Sequence, residues 1–359
     1  MKVDSIQVQN FRNIVSAQLF ADPELTVITG QNGQGKTNLL ESIWLLTGSK
    51  SFRGAKDLEL VKQGEDFARI IGETNNSVKT NKIEVLIAGA ESGKRGRSAK
   101  VNGVPYGRAA SIAGVFTAVV FDPGHLSLVK GGPEGRRRFL DAALCQLYPG
   151  YINTLRRFTR AISQKNALLK KYYETSDAAA MLDAFDVEIV QTGTEISARR
   201  AAYLTLAGPL AQQLYAELSS GAEQMEVTFL PCAPQGQLAG LLKNSRPTDI
   251  RAGFCTAGPH REDFETTING KSARVYGSQG QQRSAVLGFK LAEAACAKEI
   301  TGEHPVMLLD DVLSELDETR QAYLLSRMSG KQSFVTTCDA SAFGRTAGKI
   351  VEVKGGQLI

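Results

Sequence analysis

The chain has 359 residues, 42% of them hydrophobic, so it is long enough to bury a large core and to form two domains. Its net charge of +5 is modest, and its five cysteines lack a C-x-x-C spacing, so neither a disulfide framework nor a zinc site is indicated. No apolar run reaches the ~18 residues of a membrane span, and the N-terminus lacks a signal-peptide pattern. We therefore expect a cytoplasmic protein with no membrane partner and with all five cysteines reduced in or near the core.

The N-terminal part begins with strand patterns near residues 2–9 and 15–20, followed by a short apolar run at 24–29. A segment of the form G-x-x-x-x-G-K-[ST] comes next, consisting of Gly30, Gln31, Asn32, Gly33, Gln34, Gly35, Lys36 and Thr37. Residues 38–46 then have the apolar spacing of a helix. A strand, a glycine-rich loop and a helix in this order predict a P-loop that binds ATP. A glycine turn before a helix, without a ligand, is the alternative.

The residue types of the P-loop suit a phosphate group. Its three glycines allow positive φ and close approach of the backbone, so that several amides can point at one anion at a helix N-terminus. Lys36 supplies a compact positive charge to the β- and γ-phosphates, and Thr37 supplies a hydroxyl ligand to Mg²⁺. We therefore assign Lys36 to catalysis and Thr37 to the metal site.

Further strands are predicted near 67–73, 82–88 and 115–121, and residues 92–100 form a basic stretch between them. The glycines and serines of that stretch predict a flexible hairpin tip, which is either a second DNA-binding candidate or a segment without function.

Residues 126–220 are predicted to be almost wholly helical, and their charge is unevenly distributed. From Lys130 to Lys171 there are ten Lys or Arg and two acids, whereas from Asp177 to Glu226 there are eight acids and two arginines. A one-signed block with interleaved aromatic residues can bind nucleic-acid phosphates without reading bases, although a charged run is also typical of a solvated helix face. The candidate DNA contacts are Arg136, Arg137, Arg138, Arg156, Arg157 and Lys165.

After strands near 225–230 and 263–268, the segment 276–284 precedes a long amphipathic helix. Ser278 can cap that helix, and Ser278, Gln279 and Gly280 then form a second anion-binding helix N-terminus. One nucleotide needs one γ-phosphate cradle. A second one makes sense if the loop closes on the nucleotide of a partner subunit; a capped helix after a glycine turn, without a ligand, is the alternative.

The apolar run 305–310 predicts a central parallel strand that ends in Asp310, followed at once by Asp311. We expect Asp310 to bind Mg²⁺ and Asp311, which points elsewhere, to polarise an attacking water; a helix cap or loop acid is the alternative for Asp311. About 270 residues separate this strand from the P-loop, more than a minimal core needs. Both ends of the chain must therefore build one nucleotide-binding head around an insertion.

These elements together resemble the ABC/SMC-like head ATPases, with Ser278-Gln279-Gly280 as the signature loop and residues 314–317 as the D-loop. Within that group the whole chain is similar to the RecF family of bacterial recombination mediators. The similarity lies in residues 10–13 (NFRN), 130–133 (KGGP), 136–141 (RRRFLD), 164–170 (QKNALLK), 258–263 (GPHRED) and 309–317. The chain departs from the family at Gly124-His125, where acids are usual. It also has Thr336-Thr337 where many ABC ATPases have a switch histidine, so a γ-phosphate contact there would be a hydroxyl.

The resemblance implies an α/β fold: an ABC-type ATPase head, with a P-loop mixed sheet and an antiparallel subdomain, plus a mainly helical second lobe. We expect the head to comprise residues 1–125 and 223–359 and the lobe 126–222. The resemblance also implies nucleotide contacts from Arg12 and Asn13 and an ATP-dependent homodimer with slow, DNA-stimulated hydrolysis. It further implies sequence-nonspecific binding to duplex and junction DNA, and RecA loading with RecO and RecR. The alternative is the ATPase subunit of another ABC/SMC-type complex, such as a transporter or a chromosome-structure protein.

Overall fold

The structure is a computed structural model that describes residues 1–90, 92–93, 95–340, 343 and 348–359. The chain forms two compact units. The head unit contains Met1–His125 and Leu287–Ile359, and the helical unit contains Leu126–Val286.

The secondary structure elements are as follows in chain order. The first group comprises β1 (Lys2–Phe11), β2 (Ile14–Phe20), β3 (Leu25–Thr29), α1 (Lys36–Leu45), α2 (Asp57–Leu60), β4 (Phe67–Asn75), β5 (Thr80–Ala88), β6 (Arg97–Val101), β7 (Val104–Arg108) and β8 (Ala118–Phe121). The second comprises α3 (Ser127–Lys130), α4 (Pro133–Leu147), α5 (Tyr151–Leu169), α6 (Ala178–Leu218), β9 (Met225–Leu230), α7 (Leu238–Ala252), β10 (Asp263–Ile268), β11 (Lys271–Ser272) and α8 (Ala273–Tyr276). The last comprises α9 (Gln279–Thr301), β12 (Val306–Asp310), α10 (Glu318–Met328), β13 (Ser333–Thr337), β14 (Lys349–Lys354) and β15 (Gln357–Leu358).

The first sheet of the head unit has the order β15-β14-β3-β13-β12-β8, and the five strands from β14 to β8 are parallel. Every residue of β12 is buried, as expected of a strand that is covered on both faces. The P-loop follows β3, and Asp310 ends β12 with Asp311 directly after it. Because the strands are parallel, both segments lie at the same edge of the sheet, although they are far apart in sequence.

The second sheet of the head unit is antiparallel, with the order β2-β1-β4-β5-β6-β7. Residues of β1, β4 and β5 alternate between the more and the less buried face, because only one face packs against the core. Helix α1 contributes Leu39, Leu40, Ile43 and Trp44 to a core that contains residues of both sheets. The α/β head with an antiparallel subdomain, predicted from the sequence, is confirmed.

The hairpin predicted at the basic stretch 92–100 is present between β5 and β6, but its last four residues belong to a strand and not to the tip. From Arg97 onward it forms β6, which pairs with β5 in the antiparallel sheet. Arg97 donates a hydrogen bond to the Ser49 carbonyl (2.6 Å) and forms an ion pair with Asp57 (2.9 Å), so it stabilises the head. Lys94, part of the same prediction, lies outside the described residues.

The helical unit is organised around α6, a helix of 41 residues. Helices α4, α5 and α7 and strand β9 pack on it, and β9 belongs to a three-stranded sheet of order β11-β10-β9. Residues 223–286 therefore belong to the helical unit, whereas the sequence analysis assigned them to the head. The apolar residues Met225, Phe264 and Ile268 of this small sheet are buried within the unit, which explains the difference.

Among the described residues, no helix combines the length and the apolar character that crossing a bilayer requires.

Candidate nucleotide-binding site

The P-loop connects β3 to α1 through glycines that the local geometry requires. Gly30 and Gly35 have φ values of 143° and 116°, in a region that side chains disfavour. A Cβ atom on Gly30 would lie 2.4 Å from the Val353 carbonyl oxygen, and one on Gly35 would lie 2.8 Å from Asn13 Oδ1. The loop is therefore packed against strand β14 on one side and the β1–β2 turn on the other, which fixes its shape.

Lys36 begins α1 and is buried, and its ammonium group is held within the loop. Nζ donates hydrogen bonds to the carbonyl oxygens of Gly30 (2.6 Å) and Gln31 (3.0 Å), and it lies 3.3 Å from Cys338 Sγ. A compact cation thus lies beside the amides of a helix N-terminus, which is the arrangement that binds phosphates.

The P-loop and the carboxylate strand meet through Asp310. Its Oδ1 accepts hydrogen bonds from the hydroxyl groups of Thr37 (2.7 Å) and Thr336 (2.9 Å). Burial raises the pKa of the Asp310 carboxyl above its usual value, because it destabilises the ionised form. A cation or hydrogen-bond donors beside the carboxylate would stabilise that form. A hydroxyl and a carboxylate oxygen are hard ligands of the kind that Mg²⁺ prefers, so the two residues that were predicted as metal ligands fit that ion.

Asp311 adopts a positive φ of 50°, which is uncommon for a residue other than glycine. Its backbone N–H donates to Thr336 Oγ1 (2.9 Å), and the same hydroxyl donates to Asp310. Thr336 therefore holds the two acids in different orientations, as their proposed separate roles require. Thr336 is buried and its hydroxyl is engaged in the protein, so the expectation of a γ-phosphate contact at this position is wrong for Thr336.

Cys338 was missed by the sequence analysis, which placed all five cysteines in or near the core. It is exposed at the end of β13, and its Sγ donates to Asn32 Oδ1 (3.1 Å) in the P-loop. Nucleotides bind at the carboxyl ends of parallel strands, and Cys338 directly follows a strand that pairs with β3. Its position in the sequence could therefore have identified it as a residue near the nucleotide.

Arg12 and Asn13 support the P-loop from the turn between β1 and β2. Asn13 Nδ2 donates to the Gln34 carbonyl (3.0 Å), and its Oδ1 accepts from Asn38 (2.8 Å). Arg12 has a φ of 53° and forms an ion pair of 2.5 Å with Glu41, which is buried in α1. Both side chains thus contact the loop and its helix, and their direct contact with nucleotide stays a prediction.

Asp122 is a further acid at this edge of the sheet that was missed. It follows β8, whose Phe121 pairs with Leu309 of β12, so that Asp122 comes opposite Asp310. Its carboxylate accepts the Gly124 N–H (2.7 Å). Burial raises the pKa of Asp122 to about 6, and the charge of Asp310 adds to the shift. The sequence signal that could have identified Asp122 is its position directly after a predicted strand, as for Asp310.

The predicted signature loop lies in the helical unit, where α9 begins. The Ser278 N–H donates to Gln281 Oε1 (2.8 Å) and the Gln281 N–H donates to Ser278 Oγ (3.2 Å), which is a reciprocal capping box. Ser278 and Gln279 are exposed, and Ser278 Oγ acts as an acceptor in this pair, so its O–H is a donor for a ligand.

Comparisons with known proteins agree with this geometry. Residues 2–357 match the model of the RecF/RecN/SMC N-terminal domain. A DNA replication and repair protein RecF of Heliobacterium modesticaldum is 40% identical, with 100% of this chain and 99% of that protein covered. The chain belongs to the RecF family.

Solved structures support the same assignment. One described as the recombination mediator protein RecF-ATP in the RecFOR pathway superposes with a TM-score of 0.89 at 34% identity, covering 100% of this chain and 98% of that one. An Smc head domain of Pyrococcus furiosus has a TM-score of 0.56 at 16% identity, covering 99% of this chain and 95% of that one, and shows the fold alone.

The stretches that resemble the RecF family in the helical unit are mainly internal. Arg136 forms a two-point ion pair with Asp263 (2.6 and 2.8 Å), and it also donates to the Gly131 carbonyl (2.9 Å). Arg200 binds Asp141 (2.9 Å) and Glu262 (3.0 Å). The segments 136–141 and 258–263 therefore connect α4, α6 and β10 in one buried ionic network.

Two of the six predicted DNA contacts are buried, which corrects that prediction. Arg136 is 6% exposed and Lys165 is 0% exposed. Lys165 Nζ lies 2.8 Å from Asp186 and 3.2 Å from Asp249, both from other helices, so it neutralises buried acids. Neither side chain is placed to reach a nucleic acid. Arg137 is partly buried and donates to the Glu262 carbonyl (2.7 Å).

The remaining cations lie on the surface of the helical unit. Arg138 is exposed, Arg156 is partly exposed, and Arg157 is exposed in an ion pair with Glu188 (2.8 Å). One face of α5 borders a groove of about 600 Å³, lined by Thr159, Ile162, Ser163, Asn166, Ala167, Lys170 and Lys171. Arg160, Lys170 and Lys171 are exposed beside or within it. This groove carries positive charge and hydroxyl groups together.

Proposed function

We propose that this chain is an ATP-dependent DNA-binding protein of recombinational DNA repair and replication. The observation that carries the proposal is the 2.7 Å hydrogen bond between Thr37 and Asp310, which joins the P-loop to the carboxylate strand across 273 residues. This contact supports a combined phosphate and metal site in a chain of the RecF family. A RecF relative described with ATP and covering the whole chain supports the choice of nucleotide.

ATP binding follows from the chemistry of the loop. The amides of residues 31–36 and the Lys36 ammonium would bind the phosphate oxygens, and Thr37 and Asp310 would hold Mg²⁺, which neutralises phosphate charge when bound. Asp311 would orient the water that attacks the γ-phosphate. Because Asp311 is kept apart from Asp310 by Thr336, binding and hydrolysis depend on different acids, and slow hydrolysis would time the release of the complex.

Dimerisation follows from the signature loop. Ser278, Gln279 and Gly280 would contact the γ-phosphate held by a second copy, so that ATP binds two copies together and hydrolysis separates them. The O–H of Ser278 and the amides of the first turn of α9 are the donors for that contact.

DNA binding would use the exposed cations of α5 and its neighbourhood. Contacts with phosphates give affinity without sequence preference, for duplexes and for duplex/single-strand junctions. As for other members of the RecF family, we propose that the DNA-bound dimer promotes loading of RecA recombinase together with RecO and RecR.

The alternative, an ATPase subunit of another ABC/SMC complex, has weaker support. The Smc head relative shares 16% identity, compared with 40% for the RecF relative over the full length of both chains.

Sedimentation velocity with and without ATP, and then with DNA, tests the proposal. We expect a monomer that becomes a dimer with ATP, and a Lys36→Met variant that stays monomeric because it lacks the cation of the P-loop. A wild-type protein that stays monomeric at saturating ATP would contradict the model.

The DNA surface is tested by charge reversal of Arg160, Lys170 and Lys171 to Glu. We expect weaker binding to all sequences and a log–log salt slope that is smaller by about 2 to 3, because each lost phosphate contact removes about 0.9. Lys79→Glu with Lys82→Glu is the control, since these exposed lysines of the head unit lie in the β4–β5 turn and on β5. An unchanged slope in the α5 variant would place the DNA site elsewhere.

A further inference from the structure

Glu223, between α6 and β9, bridges two elements of the helical unit. Its Oε2 accepts a short hydrogen bond from the hydroxyl of Tyr215, and its Oε1 accepts one of 2.6 Å from Gln281 Nε2. Tyr215 is fully buried in the last turn of α6, so the carboxylate is anchored to the longest helix of the unit. The bridge ends at the first turn of α9.

Gln281 uses both ends of its side-chain amide. Its Nε2 donates to Glu223 and its Oε1 accepts the Ser278 N–H (2.8 Å). A carboxylate offers only acceptors, so Glu223 forces Nε2 toward itself and leaves Oε1 for Ser278. If the amide turned over, two N–H donors would face each other at Ser278, and the capping box would open.

A negative charge at Glu223 is unexpected so close to a loop that is proposed to bind phosphate. A negative side chain linked to a loop that receives phosphate groups weakens anion binding through electrostatic repulsion. A neutral hydrogen-bond acceptor would avoid that cost. The carboxylate has one property that an amide lacks, because it accepts from Tyr215 and from Gln281 at once and has no orientation in which it donates.

We propose that Glu223 is a positioning residue for the signature loop. It fixes the orientation of Gln281, and through it the backbone and hydroxyl of Ser278, in the geometry that receives the partner's nucleotide. The inference rests on the proposed trans contact of Ser278, Gln279 and Gly280. Its consequence is that ATP-driven pairing of two copies depends on an acid that contacts no nucleotide.

The test compares Glu223→Leu, Glu223→Gln and Glu226→Gln; Glu226 is an exposed acid three residues away on β9. Sedimentation velocity gives the dissociation constant of the ATP dimer, and a fluorescent ATP analogue gives the nucleotide affinity of the monomer. We expect Glu223→Leu to raise the dimer dissociation constant about tenfold with monomer ATP affinity within about twofold. Glu223→Gln, which keeps the shape and one acceptor, should have a smaller effect, and Glu226→Gln none.

Three results would overturn the inference. The first is that Glu223→Leu dimerises like the wild type. The second is that its monomer ATP affinity, DNA affinity and melting temperature all fall together, which indicates a general structural role. Ser278→Arg serves as the reference in the same experiment. If it abolishes dimerisation while Glu223→Leu dimerises with the wild-type dissociation constant, only the inference fails. If Ser278→Arg dimerises normally, the trans contact fails and the inference with it.

Discussion

Charged residues of the head unit and of the helical unit have different surroundings. In the head, Lys36, Asp310 and Asp311 lie at one edge of a parallel sheet, and their neighbours are hydroxyls, carbonyls and a thiol. In the helical unit, Arg136, Lys165 and Arg200 are buried against carboxylates of other elements. The three charges at this sheet edge thus lie among neutral polar groups, whereas these three cations of the helical unit are neutralised by acids.

This difference shows that a charged motif typical of a family is not by itself a binding site. A buried cation is tolerated only when acids pair with it. Such a pair cannot be predicted from the sequence pattern when its partners are far apart, as Arg136 and Asp263 are, at 127 positions from each other.

Arg200→Leu should have the largest effect, on folding. Removing this guanidinium leaves Asp141 and Glu262 without their shared partner, which should lower the free energy of unfolding by about 3–5 kcal/mol. Arg199→Leu is the matched control: Arg199 is exposed and stacks on Tyr148, so its loss should cost less than about 1 kcal/mol. Equal losses in denaturant unfolding would show that the network is not the internal frame of the unit.

The two acids of the head should separate binding from hydrolysis. Asp310→Asn should weaken binding of magnesium-ATP, whereas Asp311→Asn should bind normally and hydrolyse about 100-fold more slowly, which corresponds to about 2.7 kcal/mol. The stalled protein should accumulate as the ATP dimer. Nucleotide titration and steady-state phosphate release measure the two effects, and equal loss of binding in both variants would refute the separation.

Thr336→Val tests whether Thr336 sets the different orientations of Asp310 and Asp311. The change keeps the shape of the side chain but leaves the Asp311 N–H without its acceptor and Asp310 without one donor. We expect a loss of stability of about 1–3 kcal/mol, and hydrolysis should fall more than ATP affinity because the orientation of Asp311 is lost. A Thr301→Val variant, which removes a hydroxyl that donates to the Ala297 carbonyl in α9, is the control. If both threonine variants behave alike in phosphate release, Thr336 has no special role.

Asp122→Asn should make stability less dependent on pH. The pKa of Asp122 in the folded protein is raised to about 6 from 3.8, so wild-type stability falls as the pH rises through this interval. The Asn variant should therefore be more stable at pH 8 by about 1–2 kcal/mol, after allowance for solvent screening, and equal to wild type below pH 4. Urea unfolding at pH 4, 6 and 8 measures this. A gain that is the same at each pH would exclude ionisation as its cause.

The sequence predicted the head better than the helical unit for physical reasons. Residues 30–37 form the P-loop from one contiguous segment, and the apolar strand before Asp310 identifies that acid without any knowledge of its neighbours. The burial of Lys165, by contrast, depends on Asp186 and Asp249 from two other helices, and helical periodicity does not reveal such pairs. Cys338 was missed because its exposure follows from its position after β13, which its residue type does not indicate.

The central claim is that the head of one copy and the signature loop of another build one ATP site. Mixing Ser278→Arg protein with Lys36→Met protein tests it most directly, by sedimentation velocity at saturating ATP. Each variant alone should remain monomeric. In the mixture, one composite site combines an intact P-loop with an intact signature loop, so part of the dimer should return. If the mixture remains monomeric while Ser278→Arg alone has lost ATP binding, the loop acts within its own copy and the account is wrong.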